Sequence, residues 1–218
     1  MEKDCYFCHR CQASGSLASI EDELVVHEEI EKKGLDESIL QGLTSLKSYP
    51  ERFLQYTLPD GLLYTDNYKL IIPCHDWSGV LRAIKYRDLQ LKAYTAEPGS
   101  EIGYYFLLSK TERPYQLLIT ESEIDAITAR LLGFPGDILA LQTTGIKEDV
   151  AEKCNATYKK IYLALDNDKA GKKGTKEVLK FFKFKSTKVF TFPPVCKDIN
   201  DVLVKKGMED AEIWMRRQ

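Results

Sequence analysis

The chain has 218 residues, enough for one large domain or two small ones. Hydrophobic residues make up 44% and charged residues 29%, a soluble globular balance, and the net charge of −2 excludes an overall basic field. Any nucleic-acid surface must therefore be a local patch. No apolar run approaches the roughly 18 residues of a membrane-spanning helix. The opening MEKDCYFCHRC lacks the apolar run of a signal peptide. A cytoplasmic setting with reduced thiols is expected, and the six cysteines should be metal ligands or buried thiols.

Residues 1–20 form the first segment. Cys5, Cys8 and Cys11 make overlapping CxxC pairs with His9 between them, followed by the small, polar stretch 12–16. Structural zinc takes four ligands, usually as two separated pairs, and no second pair precedes this one. Three readings stay open: a compact zinc site completed by His9 or His27, a relic of a larger module, or unligated cysteines. Cys74, Cys154 and Cys196 stand alone among apolar or basic neighbours and are expected to be structural thiols.

Residues 21–112 mix short helical and strand patterns with the turn signals Pro59-Asp60-Gly61, Ser78-Gly79 and Pro98-Gly99. The stretch 71–88 reads as a hairpin that turns at Ser78-Gly79. Its Arg82, Lys85 and Arg87 are candidates for the local positive patch, contacting template or nucleotide phosphates. The plainer alternative is a solvated strand face of alternating charge.

Residues 113–218 alternate strand and helix. The predicted strands are 117–120, 138–141, 161–165 and 188–192; the predicted helices are 124–131, 147–154, 172–182 and, last, 199–206. Gly133 and Pro135 stop the first helix. This order predicts an α/β domain with a mainly parallel sheet covered on both faces, and such sheets bind ligands beyond the carboxyl ends of their strands. Acidic residues stand at those ends. Glu121 closes the first strand and Asp125 follows one helical turn later; Asp166 and Asp168 follow the third strand; Asp198 follows the fourth. Alternation along an extended DxD is expected to put Asp166 and Asp168 on one side. Clustered carboxylates repel unless a cation neutralises them, and hard oxygen ligands suit Mg²⁺ or Mn²⁺. Taken singly, Asp198 reads equally as a helix N-cap, and Asp166 and Asp168 as turn residues. Lys169, Lys172, Lys173 and Lys176 open the helix after the DxD pair. They either attract a nucleoside triphosphate or primer backbone or form a solvated helix face.

ITESEIDAITA, LALDNDKAGKKG and CKDINDVL resemble the three motifs of the Toprim fold, shared by primases, topoisomerases and some nucleases. The likeness spans residues 73–204 and is greatest to the primase half of phage primase-helicases, whose first motif reads EGEID. It implies a Toprim domain of Rossmann-like architecture preceded by a small mixed α+β basic subdomain. The hairpin above resembles that basic subdomain, an element that Toprim nucleases and topoisomerases do not usually carry. The resemblance also implies that Glu121, Asp125, Asp166, Asp168 and Asp198 form a Mg²⁺ or Mn²⁺ site, with Glu121 near the reacting phosphate. Ser122 stands where the family usually has Gly, and a slightly altered turn is expected there. CHRCQASGSL resembles one knuckle of a primase zinc ribbon; a damaged module would weaken template-sequence recognition.

The expected activity is primer synthesis on single-stranded DNA from nucleoside triphosphates. Nothing resembles GxxxxGK followed by Ser or Thr, so a helicase partner is expected to be a separate chain. A Toprim nuclease or phosphohydrolase, and a catalytically decayed single-strand-binding module, are the competing functions.

Overall fold

The computed structural model describes residues 5–7, 14–16, 34–41, 43–45, 64–65, 69–88, 93–101, 105–109, 115–143, 145–183 and 185–218. Two compact units divide the chain, residues 1–34 and 35–218. In the first, β1 (Cys5–Phe7) pairs antiparallel with β2 (Ser14–Ser16), Cys5 opposite Ser16. Cys8, His9, Cys11 and His27, on which the zinc readings turn, lie outside the described residues.

The second unit carries two five-stranded sheets. The antiparallel one has the order β3 (Thr44–Ser45), β4 (Tyr64–Thr65), β5 (Lys69–His75), β6 (Leu81–Asp88) and β7 (Tyr94–Ala96). Its central hairpin turns where expected. Gly79 takes φ +78°, a left-handed conformation open to a residue without Cβ. Asp76 accepts hydrogen bonds from the main-chain N–H groups of Ser78 (2.8 Å) and Val80 (3.1 Å), closing the turn from inside.

The other sheet runs β12 (Ser186–Val189), β11 (Lys160–Ala164), β9 (Gln116–Thr120), β10 (Asp137–Ala140), β8 (Phe106–Leu107). Its first four members are parallel and β8 is an antiparallel edge. Alternation sorts the apolar residues of the inner strands onto two faces. Leu117, Ile119, Ile161 and Leu163 join one buried cluster with Val150, Ala151 and Cys154 of α2 (Glu148–Thr157) and Val178 of α3 (Lys169–Leu179). On the other face Leu118, Tyr162 and Ala164 pack with α1 (Glu123–Leu131), α4 (Ile199–Lys206) and α5 (Met208–Arg216). Leu70, Ile72, Cys74 and Ala83 of the hairpin enter this second cluster, so the antiparallel sheet shares a core with the parallel one.

From central β9 the chain steps to β10 on one side, then returns to β11 on the other. That reversal opens a crevice beyond the carboxyl ends of β9 and β11.

Several elements differ from their sequence-based boundaries. The last strand is β12, Ser186–Val189, rather than 188–192. Phe190 and Phe192 lie beyond it in an aromatic run with Trp214, whose ring centroid is 5.6 Å from that of Phe190. Helix α3 starts at Lys169, and its last turn, Lys180–Phe182, tightens to 3₁₀ geometry. The helix Ile199–Lys206 is not the last: Gly207, at φ +80°, redirects the chain into α5, which buries Ala211 and Met215 at helical spacing. Cys74, Cys154 and Cys196 are buried free thiols, as expected. Burial pushes the thiols of Cys74 and Cys154 up to about 12, so both are inert. Among the described residues, no helix is long and apolar enough to cross a membrane.

Candidate metal centre

Glu121 directly follows β9. Its main chain is held by the neighbouring strand, which continues past β10: Leu141 N–H donates to the Thr120 carbonyl (3.0 Å) and Gln142 N–H to that of Glu121 (2.9 Å). The Glu121 carboxylate reaches across the crevice, where the Asp166 N–H lies 3.4 Å from Oε2. Partial burial, then the charge of Asp166, raises the pKa of Glu121.

Ser122 caps α1. Its hydroxyl oxygen accepts from the Asp125 N–H at 3.1 Å and donates to Asp125 Oδ2 at 2.6 Å. The backbone at Ser122 has φ −115° and ψ 158°. This is ordinary extended geometry for an N-cap. A residue with a Cβ adopts this turn without strain. Serine adds a donor to the carboxylate one turn on.

Asp125 is 2% exposed. Besides Ser122 it receives the main-chain N–H of Asn200 at the start of α4, at 3.1 Å. Asn200 in turn donates from its side chain to Thr128 Oγ1 (3.0 Å). Carboxylate oxygens of Asp125, Asp166 and Asp198 all lie within 4.8 Å of one another. Burial, then the charge of Asp198, pushes Asp125 up to about 8 against the hydrogen bonds from Ser122 and Asn200. A carboxylate in that position ionises fully only if a cation joins it.

Asp166 follows β11 and enters the triad. Asp168 does not, because the strand has ended and the residue is already engaged as the N-cap of α3, accepting from the Gly171 N–H at 2.9 Å. That hydrogen bond lowers its pKa. Both carboxylates of the DxD still face the Lys197 side chain, and the Asn167 N–H between them donates to the Lys197 carbonyl (2.6 Å). The close seating of α3 explains the glycine in DNDKAG: a Cβ at Gly171 would lie 2.0 Å from the Asp166 carbonyl oxygen. Asp198 caps α4, accepting from the Asp201 N–H at 2.6 Å, and its carboxylate belongs to the triad.

Lys197 is the residue that sequence reasoning passed over. Its ammonium is 2.6 Å from Asp166 Oδ2 and 3.9 Å from Asp168 Oδ2. The hydrogen bond to Asp166 raises its pKa. Its place beside Asp198 in CKDIN was the available signal. Lys169, Lys172, Lys173 and Lys176 are all exposed along α3.

The basic hairpin residues do not form one patch. Arg82 Nε donates to Asp76 Oδ2 at 2.7 Å, so this cation braces the turn. Lys85 and Arg87 share the opposite face of β6 by alternation. Lys85 pairs with Glu123, a 3% exposed carboxylate of α1 that also accepts from Gln142 Nε2 at 2.6 Å. Lys85 Nζ and Arg87 Cζ lie 5.1 and 5.4 Å from the centroid of the half-exposed Tyr94 ring. Arg87 Nη1 is buried without a hydrogen-bond partner among the described residues.

Three oxygen donors within one ion's reach, one of them too buried to carry charge unaided, fit a divalent cation. A family model described as Toprim-like matches residues 118–203. The Gene 57 protein of Mycobacterium phage D29 is 27% identical over 139 residues, 63% of this chain and 87% of that protein. The primase fragment of the bacteriophage T7 primase-helicase protein superposes with a TM-score of 0.54 at 19% identity, covering 95% of this chain and 88% of that one. The catalytic core of E. coli primase gives a TM-score of 0.55 at 16% identity, covering 92% and 72%.

Two outcomes are expected. Asp125 ordinarily titrates near 3.8 and here near 8. Between those values the folded, metal-free protein keeps a proton that the unfolded chain has lost, so its stability falls as pH rises through this window. Asp125→Asn should flatten that slope in urea titrations of the metal-free protein; an unchanged slope would mean that another group carries it. Gly171→Ala should lower stability by about 1–3 kcal/mol through overpacking, read from the urea midpoint.

Proposed function

We propose that this chain, a Toprim-like domain at residues 118–203 within a fold shared with primase cores, is the catalytic core of a DNA primase. Its reaction is template-directed synthesis of short RNA primers on single-stranded DNA. The observation that carries the reading is the convergence of Asp125, Asp166 and Asp198 beside Glu121, at the strand ends that the Lys85–Glu123 pair joins to the basic hairpin. In this reading the division is a partial zinc-ribbon-like segment (1–20), a basic subdomain (21–112) and the Toprim domain (113–218).

Mg²⁺ or Mn²⁺ held by Asp125, Asp166 and Asp198 would neutralise charge on the transferring phosphate and lower the pKa of the attacking hydroxyl. The chain's own residues do the rest. Glu121 stands over the crevice, where its carboxylate accepts the proton of the attacking hydroxyl, and Asp168 fixes the start of α3 while contributing charge at the edge of the site. Lys169 and Lys172, exposed on the first turn of α3, attract the triphosphate. A primer 3′-hydroxyl attacks the α-phosphate, the bond to the β-phosphate breaks, and pyrophosphate leaves. Positioning and electrostatics supply the acceleration, without a covalent enzyme intermediate. Arg87, set against the half-exposed Tyr94 ring, is the hairpin cation that suits a phosphate of template or nucleotide.

The test combines single-stranded template, labelled ribonucleotides and Mg²⁺ or Mn²⁺. Labelled primers support the reading; cut template makes the chain a nuclease; template binding with neither product makes it a binding module. Asp166→Asn should abolish synthesis, and Glu121→Gln should remove nearly all turnover with little change in Tm. Asp198→Asn keeps the cap, since Asn caps as well as Asp, and should lose activity by a smaller factor. Full activity in Glu121→Gln would take away the central member of the site. Arg87→Ala should weaken single-strand binding and reduce its salt slope by about one, as the loss of one phosphate contact would. Arg82→Ala should lower Tm instead, because Asp76 already holds that guanidinium.

A further inference from the structure

Gln142 is one of two non-glycine residues with positive φ among those described, at φ +60°. Side chains bearing a Cβ rarely adopt that conformation, and glutamine has no short polar group to offset it locally. Such a backbone persists only where the surroundings hold it, and it marks a place worth a functional explanation. The surroundings here are specific. The Gln142 N–H donates to the Glu121 carbonyl at 2.9 Å. The left-handed turn then brings the side chain back, so that Nε2 donates to Glu123 Oε1 at 2.6 Å, with Cys74 Sγ 3.2 Å away.

Gln142 therefore grips the segment between β9 and α1 at both ends, residue 121 by its main chain and residue 123 by its amide. Ser122 lies between them and sets Asp125 through its hydroxyl. Glu123 Oε1 is shared with the ammonium of Lys85, so the same amide fixes where the basic hairpin meets the acidic turn. A purely structural linker would not need the strained backbone, since glycine could make the main-chain bond without strain.

We infer that Gln142 is a positioning residue: it holds Glu121 and the Lys85–Glu123 pair in the register that the metal centre requires. The inference rests on the primase reading for the role of Glu121, but not for its metal readout. The variants are Gln142→Gly, which relieves the backbone and removes the amide, and Gln142→Met, which keeps length and strain but removes the donor. Mn²⁺ binding is measured by calorimetry, primer synthesis by kcat and KM, and folding by Tm.

Both variants should weaken Mn²⁺ binding and lower kcat by roughly tenfold, because the turn that carries Glu121 and leads into Asp125 loses its support, with nucleotide KM near wild type. Tm should fall in Gln142→Met and change little in Gln142→Gly. In a Lys85→Ala background the same substitutions should cost much less, because the pair they act through is gone. Wild-type Mn²⁺ affinity and kcat in Gln142→Gly overturn the inference, and a lowered Tm alone would leave the residue a purely structural role. If the wild-type chain binds Mn²⁺ but makes no primers, the function reading fails and the Mn²⁺ affinities alone decide the role of Gln142. If it binds no Mn²⁺, both fail.

Discussion

Three carboxylates brought within 4.8 Å of one another, one of them 2% exposed, set the electrostatic problem that this fold has to solve. Like charges at that spacing oppose folding unless something compensates. Compensation is visible in layers. The Ser122 hydroxyl and the Asn200 N–H hold Asp125, the Lys197 ammonium meets Asp166, and the Asp201 N–H meets Asp198. These donors come from the beginnings of α1 and α4 and from the loop before α4. The site therefore depends on where the helices start as much as on where the strands end.

The same logic explains the division of labour in the hairpin. A basic residue beside a buried acid is spent on it first. Arg82 is taken by Asp76 and Lys85 by Glu123. What faces outward is the Tyr94 ring with two cations against it. A chain of net charge −2 can thus keep a cationic surface only where the acids have been balanced locally.

Much of the parallel domain is legible in its sequence, because strands buried on both faces read as apolar runs and the helices between them carry Gly and cap signals. β9, β10, β11, α1 and α4 fall within a few residues of expectation. The misses have physical causes. β12 is an exposed edge with Ser186, Lys188 and Val189 facing solvent, so its pattern carries little apolar signal. The aromatics that suggested a later strand belong to the packing against Trp214. Helix α5 follows α4 after one glycine and shares its polar character. At the site, the acids could be picked by order along the chain. Which of them meet could not, because the exit of the chain at Asn167 decides that Asp166 joins the triad and Asp168 becomes a cap. The contributions of Ser122, Gln142 and Lys197 depend on side-chain direction, which spacing alone leaves open.

Lys197 has a consequence for how the centre would fill. A tethered ammonium acts at an effective concentration set by its short connection to Asp198, far above that of a freely diffusing competitor. An incoming ion must displace an occupant that never leaves the neighbourhood. Loading is then an exchange of one cation for another rather than the filling of a bare anionic pit. The affinity for a free ion would then be set by the difference between the two partners. The displaced ammonium, still held by its backbone at the lip of the crevice, becomes available to whatever anion arrives next.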